Sequence, residues 1–149
     1  MAFGEQQVMS FNNIFGIAGT ALNAQMVRLN ATASNLANAS TEAPTAEQAY
    51  KGKRPVFEAL LTKEMTHQGA EYVGGVKVAE IVDDQTPNER IHNPGSPMAD
   101  KDGYVYLSNV NEVTEMVEMM GAARSYKNNV EVINTARSLM MRTLDITKA

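Results

Sequence analysis

Cysteine is absent from these 149 residues, and with it go disulfides, thiolate metal sites, iron–sulfur clusters and thiol nucleophiles. Tryptophan is absent too, and aromatic residues make up only 6%. Leu, Ile, Val and Phe together number 31 of the 149, at the margin of what a securely globular chain carries. The apolar total of 44% therefore rests on Ala and ten Met. Such a composition supports a modest core and predicts that part of the chain orders only against a partner. A basic excess is lacking as well: a net charge of −4 supplies no field for nucleic acid or for an anionic membrane surface. No apolar run approaches the roughly 18 residues of a membrane span. Met1 to Ser10 contain Glu5 but no Lys or Arg, and no signal-type apolar run follows. A cleaved secretory signal is not expected, so any export needs another route.

Three zones remain after these exclusions. Residues 1–11 read as a flexible leader, and residues 12–39 as a long helix with Asn12 or Asn13 as N-cap. Phe15, Leu22, Leu29 and Leu36 recur every seven positions, which is a helical stripe. About 27 residues of helix would extend about 40 Å. This helix holds six Asn and a single charged residue, Arg28. A solvated helix face normally carries Lys and Glu at i,i+4 spacing, and Asn lowers helix propensity by about 0.5 kcal/mol per residue relative to Ala. A helix so composed is weak alone. It suits either close packing against several neighbours or the core of a small bundle.

Residues 40–110 hold all five Pro. Ser40 to Arg54 reads as an irregular linker, followed by strand signals at Pro55–Leu61, Val76–Val82 and Tyr104–Leu107. Asn93 to Pro97 is a turn-rich loop, and Asp100-Lys101-Asp102-Gly103 reads as a hairpin turn rather than a calcium loop. Residues 111–146 are the second long helix, with Asn109 as a capping candidate ahead of Glu112 and Glu115 in the first turn. Val113, Met116, Val117, Met120, Ala123, Val130, Ile133, Met140 and Leu144 form its apolar stripe. If the two end helices pair, they do so antiparallel. The expected fold is mainly α with a small β-rich middle, its terminal helices forming an antiparallel coiled coil that depends on assembly.

Catalytic chemistry finds no support. His67 and His92 have no third ligand at metal spacing, and no nucleophile–base arrangement or phosphate loop is present. No enzyme activity, cofactor or metal is expected.

Ala33-Ser34-Asn35-Leu36-Ala37-Asn38-Ala39-Ser40-Thr41 resembles the N-terminal signature of bacterial flagellar rod and hook proteins. Asn93 to Asn111 is similar to a block of the proximal-rod members of that family. Glu115-Met116-Val117, Arg124-Ser125-Tyr126, Asn129-Val130-Glu131-Val132 and Ala136 to Met140 continue the likeness, as does Asn13 to Leu22 at the start. The chain departs from the pattern in its longer leader and between Thr62 and Val73.

The resemblance implies a structural subunit of the proximal rod, the part of the drive shaft that joins the membrane ring to the distal rod and hook. It implies export without a cleaved signal through the flagellar type III apparatus and polymerisation in the periplasm. The implied partners are further copies in a helical array, other rod proteins and the membrane-ring junction protein, without nucleic acid or membrane insertion. Subunit-interface positions are expected at Phe15, Leu22, Leu29, Asn35, Leu36, Asn38, Val113, Met116, Met120, Tyr126, Asn129, Val130 and Ile133. Asn35 or Asn38 would bond across subunits, or else terminate the helix near Ser40. The alternatives are another rod member of the same family, or a soluble helical export chaperone or adaptor.

Overall fold

The structure, a computed structural model, describes residues 2–66 and 69–148, with side chains at 13–61 and 74–146. His67 lies outside the described residues. The element order is α1 (Ala2–Asn38), β1 (Glu42–Ala43), β2 (Lys53–Thr66), β3 (Gly69–Asp83), β4 (Arg90–His92), β5 (Tyr104–Leu107) and α2 (Glu112–Lys148). Two long helices thus flank a small antiparallel β region. The chain divides into two compact units, and both helices and the β2–β3 ribbon contribute to each.

Several expected boundaries are corrected. The first helix starts at Ala2, so the backbone of residues 2–11 is helical and neither Asn12 nor Asn13 caps it. The second helix is capped by Asn111 rather than Asn109. The Asn111 carboxamide oxygen accepts from Thr114 N at 3.0 Å, and the Asn111 carbonyl accepts from Glu115 N at 3.0 Å. Asn109 is instead a loop clamp: its oxygen accepts from Gly52 N at 2.8 Å, and its amide donates to the carbonyls of Asp84 and Thr86. The supposed linker after Ser40 contains β1, and β2 and β3 are longer than the apolar runs that announce them.

One unit comprises Val27–Val56 and Glu80–Ala122. Its three-stranded sheet has the order β1-β5-β4, every pair antiparallel. Register pairs Ala43 with Tyr106 on one side of β5, and Ile91 with Val105 on the other. Val105, central in β5, is the one large aliphatic side chain among the described residues that is almost wholly buried. Asn88 ties the sheet to the preceding turn by donating to the carbonyls of Tyr50 and Leu107. The β4–β5 loop closes where Asp100 Oδ1 accepts from the amides of Asp102 and Tyr104, at 2.9 and 2.8 Å. Gly103 follows with φ +80°, a left-handed conformation that glycine adopts without strain.

The other unit comprises residues 1–26, Phe57–Ala79 and 123–149. Here α1 meets β3 closely: Val76 N donates to Thr20 Oγ1 at 3.2 Å, and a Cβ at Gly75 would lie 3.0 Å from that oxygen. Ile14 and the α2 residues Asn128, Val132, Thr135, Ala136 and Leu139 line an open apolar groove of about 460 Å³.

Burial along the helices differs from the apolar stripes read in the sequence. On α2 the inward positions are Glu115, Met119, Ala122, Tyr126, Asn129, Ile133, Ala136, Met140 and Thr143, buried or half-buried at alternating spacings of four and three. That is a strict heptad seam. On α1 the buried residues are Ala18, Ala24, Ala31, Thr32 and Asn35, while Phe15, Leu22, Leu29 and Leu36 are only half-buried beside them. Small residues, not leucines, occupy the tightest positions.

Candidate functional site

Within the unit built on Val27–Val56 and Glu80–Ala122, the most buried polar cluster joins α1, β2 and α2. Asn35 and Glu115 are each 0% exposed. Asn35 Nδ2 donates to Glu115 Oε2 at 2.9 Å and to the Lys53 carbonyl at 3.0 Å. Its oxygen accepts from Lys53 N at 2.7 Å and from the Tyr50 hydroxyl at 3.0 Å. Two donors and two acceptor positions are what a carboxamide offers, so Asn35 is saturated inside the chain. That is a different job from the cross-subunit bond expected of it.

The second Glu115 oxygen lies 2.8 Å from Arg54 Nη1 as an ion pair, without a well-aligned hydrogen bond. Arg54 also reaches Glu118 at 3.3 Å and Asp84 at 3.5 Å. Burial, the largest single influence on the guanidinium, would lower its pKa. The charges of Glu115 and Glu118, with the close contacts to Asp84 and Glu115, together outweigh burial and leave it raised. Asp84 is held below the ordinary aspartate range, first by the Thr86 hydroxyl and amide and then by Arg54, with partial burial opposing. One cation set among three carboxylates pins the start of β2 to the first turns of α2. Ser40 adds an exposed bond to Glu112 at 2.6 Å. Asn35 with Glu115 and Ser40 with Glu112 show these helix segments running in opposite directions.

Asn38 makes only a local bond, its amide donating to the Ser34 carbonyl at 2.8 Å. Thr41 N and Oγ1 both donate to the Asn38 carbonyl, so Asn38 closes the helix. This is the termination role weighed for it.

Other expected interface positions are distributed by face. Val113, Met116, Val117 and Met120 are 71%, 48%, 64% and 67% exposed. These α2 side chains point away from Glu115 and Ala122. Burying a Val or Met side chain fully is worth roughly 1.5–3 kcal/mol, so this outward face leaves a large apolar gain unused in the single chain. Tyr126, Asn129 and Ile133 fall on the inward seam, with Val130 half-buried beside it. Further along α2, Val132, Leu139, Met141, Leu144 and Ile146 are also exposed, as are Ile17 and Met26 on α1. Among the described side chains of α1 the exposed positions are Gly16, Ile17, Gly19, Asn23, Met26, Asn30, Ala33, Ser34 and Ala37, with no charge among them. Among the described residues, no group of three His, Asp or Glu is placed to hold a metal, and no helix is long and apolar enough to cross a membrane.

Known proteins resemble this chain along most of its length. Residues 15–45 match the family described as "Flagella basal body rod protein", and residues 101–146 match "Flagellar basal body rod FlgEFG protein C-terminal". The flagellar basal-body rod protein FlgC of Yersinia enterocolitica is 46% identical over 138 residues, covering 93% of this chain and 98% of its own length. The chain belongs to the FlgC family. FlgC proteins of Escherichia coli O6:H1 and Salmonella typhimurium are 47% and 45% identical over the same 138-residue length and the same shares of each chain. Membership in the FlgC family makes the chain a structural component of the flagellar basal-body rod.

Apolar periodicity did not reveal the Asn35–Glu115–Arg54 cluster. The signal that could have found it was the seven-residue spacing Glu115, Ala122, Asn129, Ala136, which places Glu115 on the same seam as two alanines.

Proposed function

We propose that this chain is a proximal-rod subunit that polymerises through its two long helices and transmits torque from the membrane ring towards the distal rod and hook. Copies of the chain pack beside one another in a helical array, with unlike rod proteins above and below and the ring junction protein at one end. The helices pair as an antiparallel coiled coil that becomes rigid in the assembly. The protein crosses the inner membrane through the type III export apparatus and acts in the periplasm.

The observation that carries this reading is the outward surface of the helices. Val113, Met116, Val117 and Met120 stand exposed on α2, and the exposed positions among the described side chains of α1 are uncharged, with Ile17 and Met26 among them. A chaperone or adaptor that lives free in water needs charged outer faces. A subunit enclosed by neighbours is better served by a face like that of the described part of α1, with no charge to desolvate, although α2 also carries exposed charged residues such as Arg124 and Glu131. Fractionation tests the choice. The chain should co-purify with isolated basal bodies, and a purified copy should have protease-sensitive helix ends that become protected on adding rod partners. A chain found only in the cytosol, bound to unassembled export substrates, would overturn the proposal.

A further inference from the structure

The orientation of the first turns of α2, from Glu112 to Ala122, is the reverse of what their large apolar residues favour. At 100° per residue, the mean direction of Val113, Met116, Val117 and Met120 lies about 145° from that of Glu115, Met119 and Ala122. Half a turn of these first turns about the helix axis would bury four large apolar side chains and release a fully buried carboxylate to water, at the cost of turning out Met119 and Ala122. The structure shows the opposite, with Glu115 at 0% exposure and Val113 at 71%. Something must hold the helix against that rotation.

We infer that the Asn35–Glu115–Arg54 cluster is a rotational lock that keeps the apolar face of α2 outward, available to a neighbouring subunit. Asn35 is suited to this because it joins the backbone of β2 to α2. It grips the backbone of Lys53 on one side, by donor and acceptor, and Glu115 on the other. Arg54, the next residue along β2, holds the second carboxylate oxygen at 2.8 Å. Turning α2 outward would leave Asn35 Nδ2 and Arg54 without their buried partner, so the inward-facing glutamate opposes the hydrophobic preference of its own helix. A polar residue at a seam position fixing helix orientation at some cost in stability is an established device in coiled coils. The inference rests on the assembly reading only for the use made of the outward face, not for the lock itself.

The absence of cysteine makes the test clean. In the purified full chain, Val117→Cys should react with a soluble thiol reagent at least tenfold faster than Ala122→Cys. In a Glu115→Leu background that order should vanish or reverse, with far-UV circular dichroism unchanged, and the strain carrying Glu115→Leu should not swim. The double variant Asn35→Leu/Glu115→Leu, which leaves no unpaired amide, should behave the same way. Retention of the parental labelling order in both backgrounds overturns the lock. So does equal reactivity of the two cysteines in the parent, and so does loss of helix in both variants, which would make the cluster a plain stabiliser. If the parental order and its reversal are seen but the parent is missing from basal bodies, the lock stands and the rod reading fails.

Discussion

Asn35 and Asn38 sit three residues apart in one motif, yet the structure assigns them very different worth. Replacing Asn35 by Ala removes four hydrogen bonds at a site with no access to water. The Tyr50 hydroxyl keeps a partner, because Ser34 Oγ lies 3.2 Å away. The Lys53 amide and carbonyl and one Glu115 oxygen do not. An orphaned buried polar group costs about 1–3 kcal/mol, and partial collapse of the site recovers some of that, so the net loss should be about 3–5 kcal/mol. Domains of this size have about 5–15 kcal/mol in all. With a urea dependence of about 2 kcal/mol/M, the unfolding midpoint should fall by about 2 M.

Asn38→Ala provides the internal control. Its amide makes one exposed bond to the preceding turn, so the change should cost about 0.5 kcal/mol or less. Asn35→Asp should be worse than Asn35→Ala. It substitutes a carboxylate for the amide nitrogen 2.9 Å from Glu115, losing both donors and adding a like charge. Tyrosine fluorescence during urea unfolding reads all three, since Tyr50 borders the cluster. Equal midpoints for Asn35→Ala and Asn38→Ala would refute the assignment of Asn35 as the internal anchor.

Leu29→Asp, which places an unpaired carboxylate at a half-buried α1 position, should leave export intact and abolish rod assembly, whereas Lys77→Ala loses only an exposed ion pair to Glu58 and should swim normally; immunoblots of exported protein together with soft-agar motility read both. Gly103→Ala should destabilise the chain by about 1–2 kcal/mol, because φ is +80° and the added methyl carbon would lie 3.1 Å from both the His92 ring and Pro94, and the loss is read from the same urea midpoint. Asp84 is depressed in the folded state, so the stability it contributes is complete above the ordinary aspartate pKa and is lost as pH falls through its lower folded value. Urea midpoints between pH 6 and pH 2, values set by that ordinary pKa of about 3.9, should therefore drop on the acid side more in the parent than in Asp84→Asn.

The broad architecture was legible because its signals are local. Two charge-poor or Met-rich helical runs bracket a segment holding every proline, and that division survives in the structure. Strand positions at Val76–Val82 and Tyr104–Leu107 were visible from their β-branched and aromatic residues, and both lie in β3 and β5. The starts of the helices were not. Asn109, Asn111, Asn12 and Asn13 are all good caps by residue type, and only the competition for backbone partners decides among them. Asn109 is drawn away by Gly52 N and two carbonyls from the β3–β4 connection, which leaves Asn111 to cap α2. Those partners are 23 or more residues distant, beyond any local pattern.

The inward face of α2 was hidden for a stronger reason. Hydrophobic periodicity assumes that a helix buries its most apolar side, and Val113, Met116, Val117 and Met120 satisfy that rule on the wrong face for a single chain. The rule fails where a chain must keep apolar surface for something other than itself. Such a chain needs an internal polar contact strong enough to offset the unused burial, and Glu115 with Asn35 and Arg54 supplies one. The same logic explains why alanine fills the buried helix positions at Ala18, Ala24, Ala31, Ala122 and Ala136. Small residues let elements approach closely within the chain, and the larger Met, Val and Ile side chains remain outside, where a neighbour can bury them.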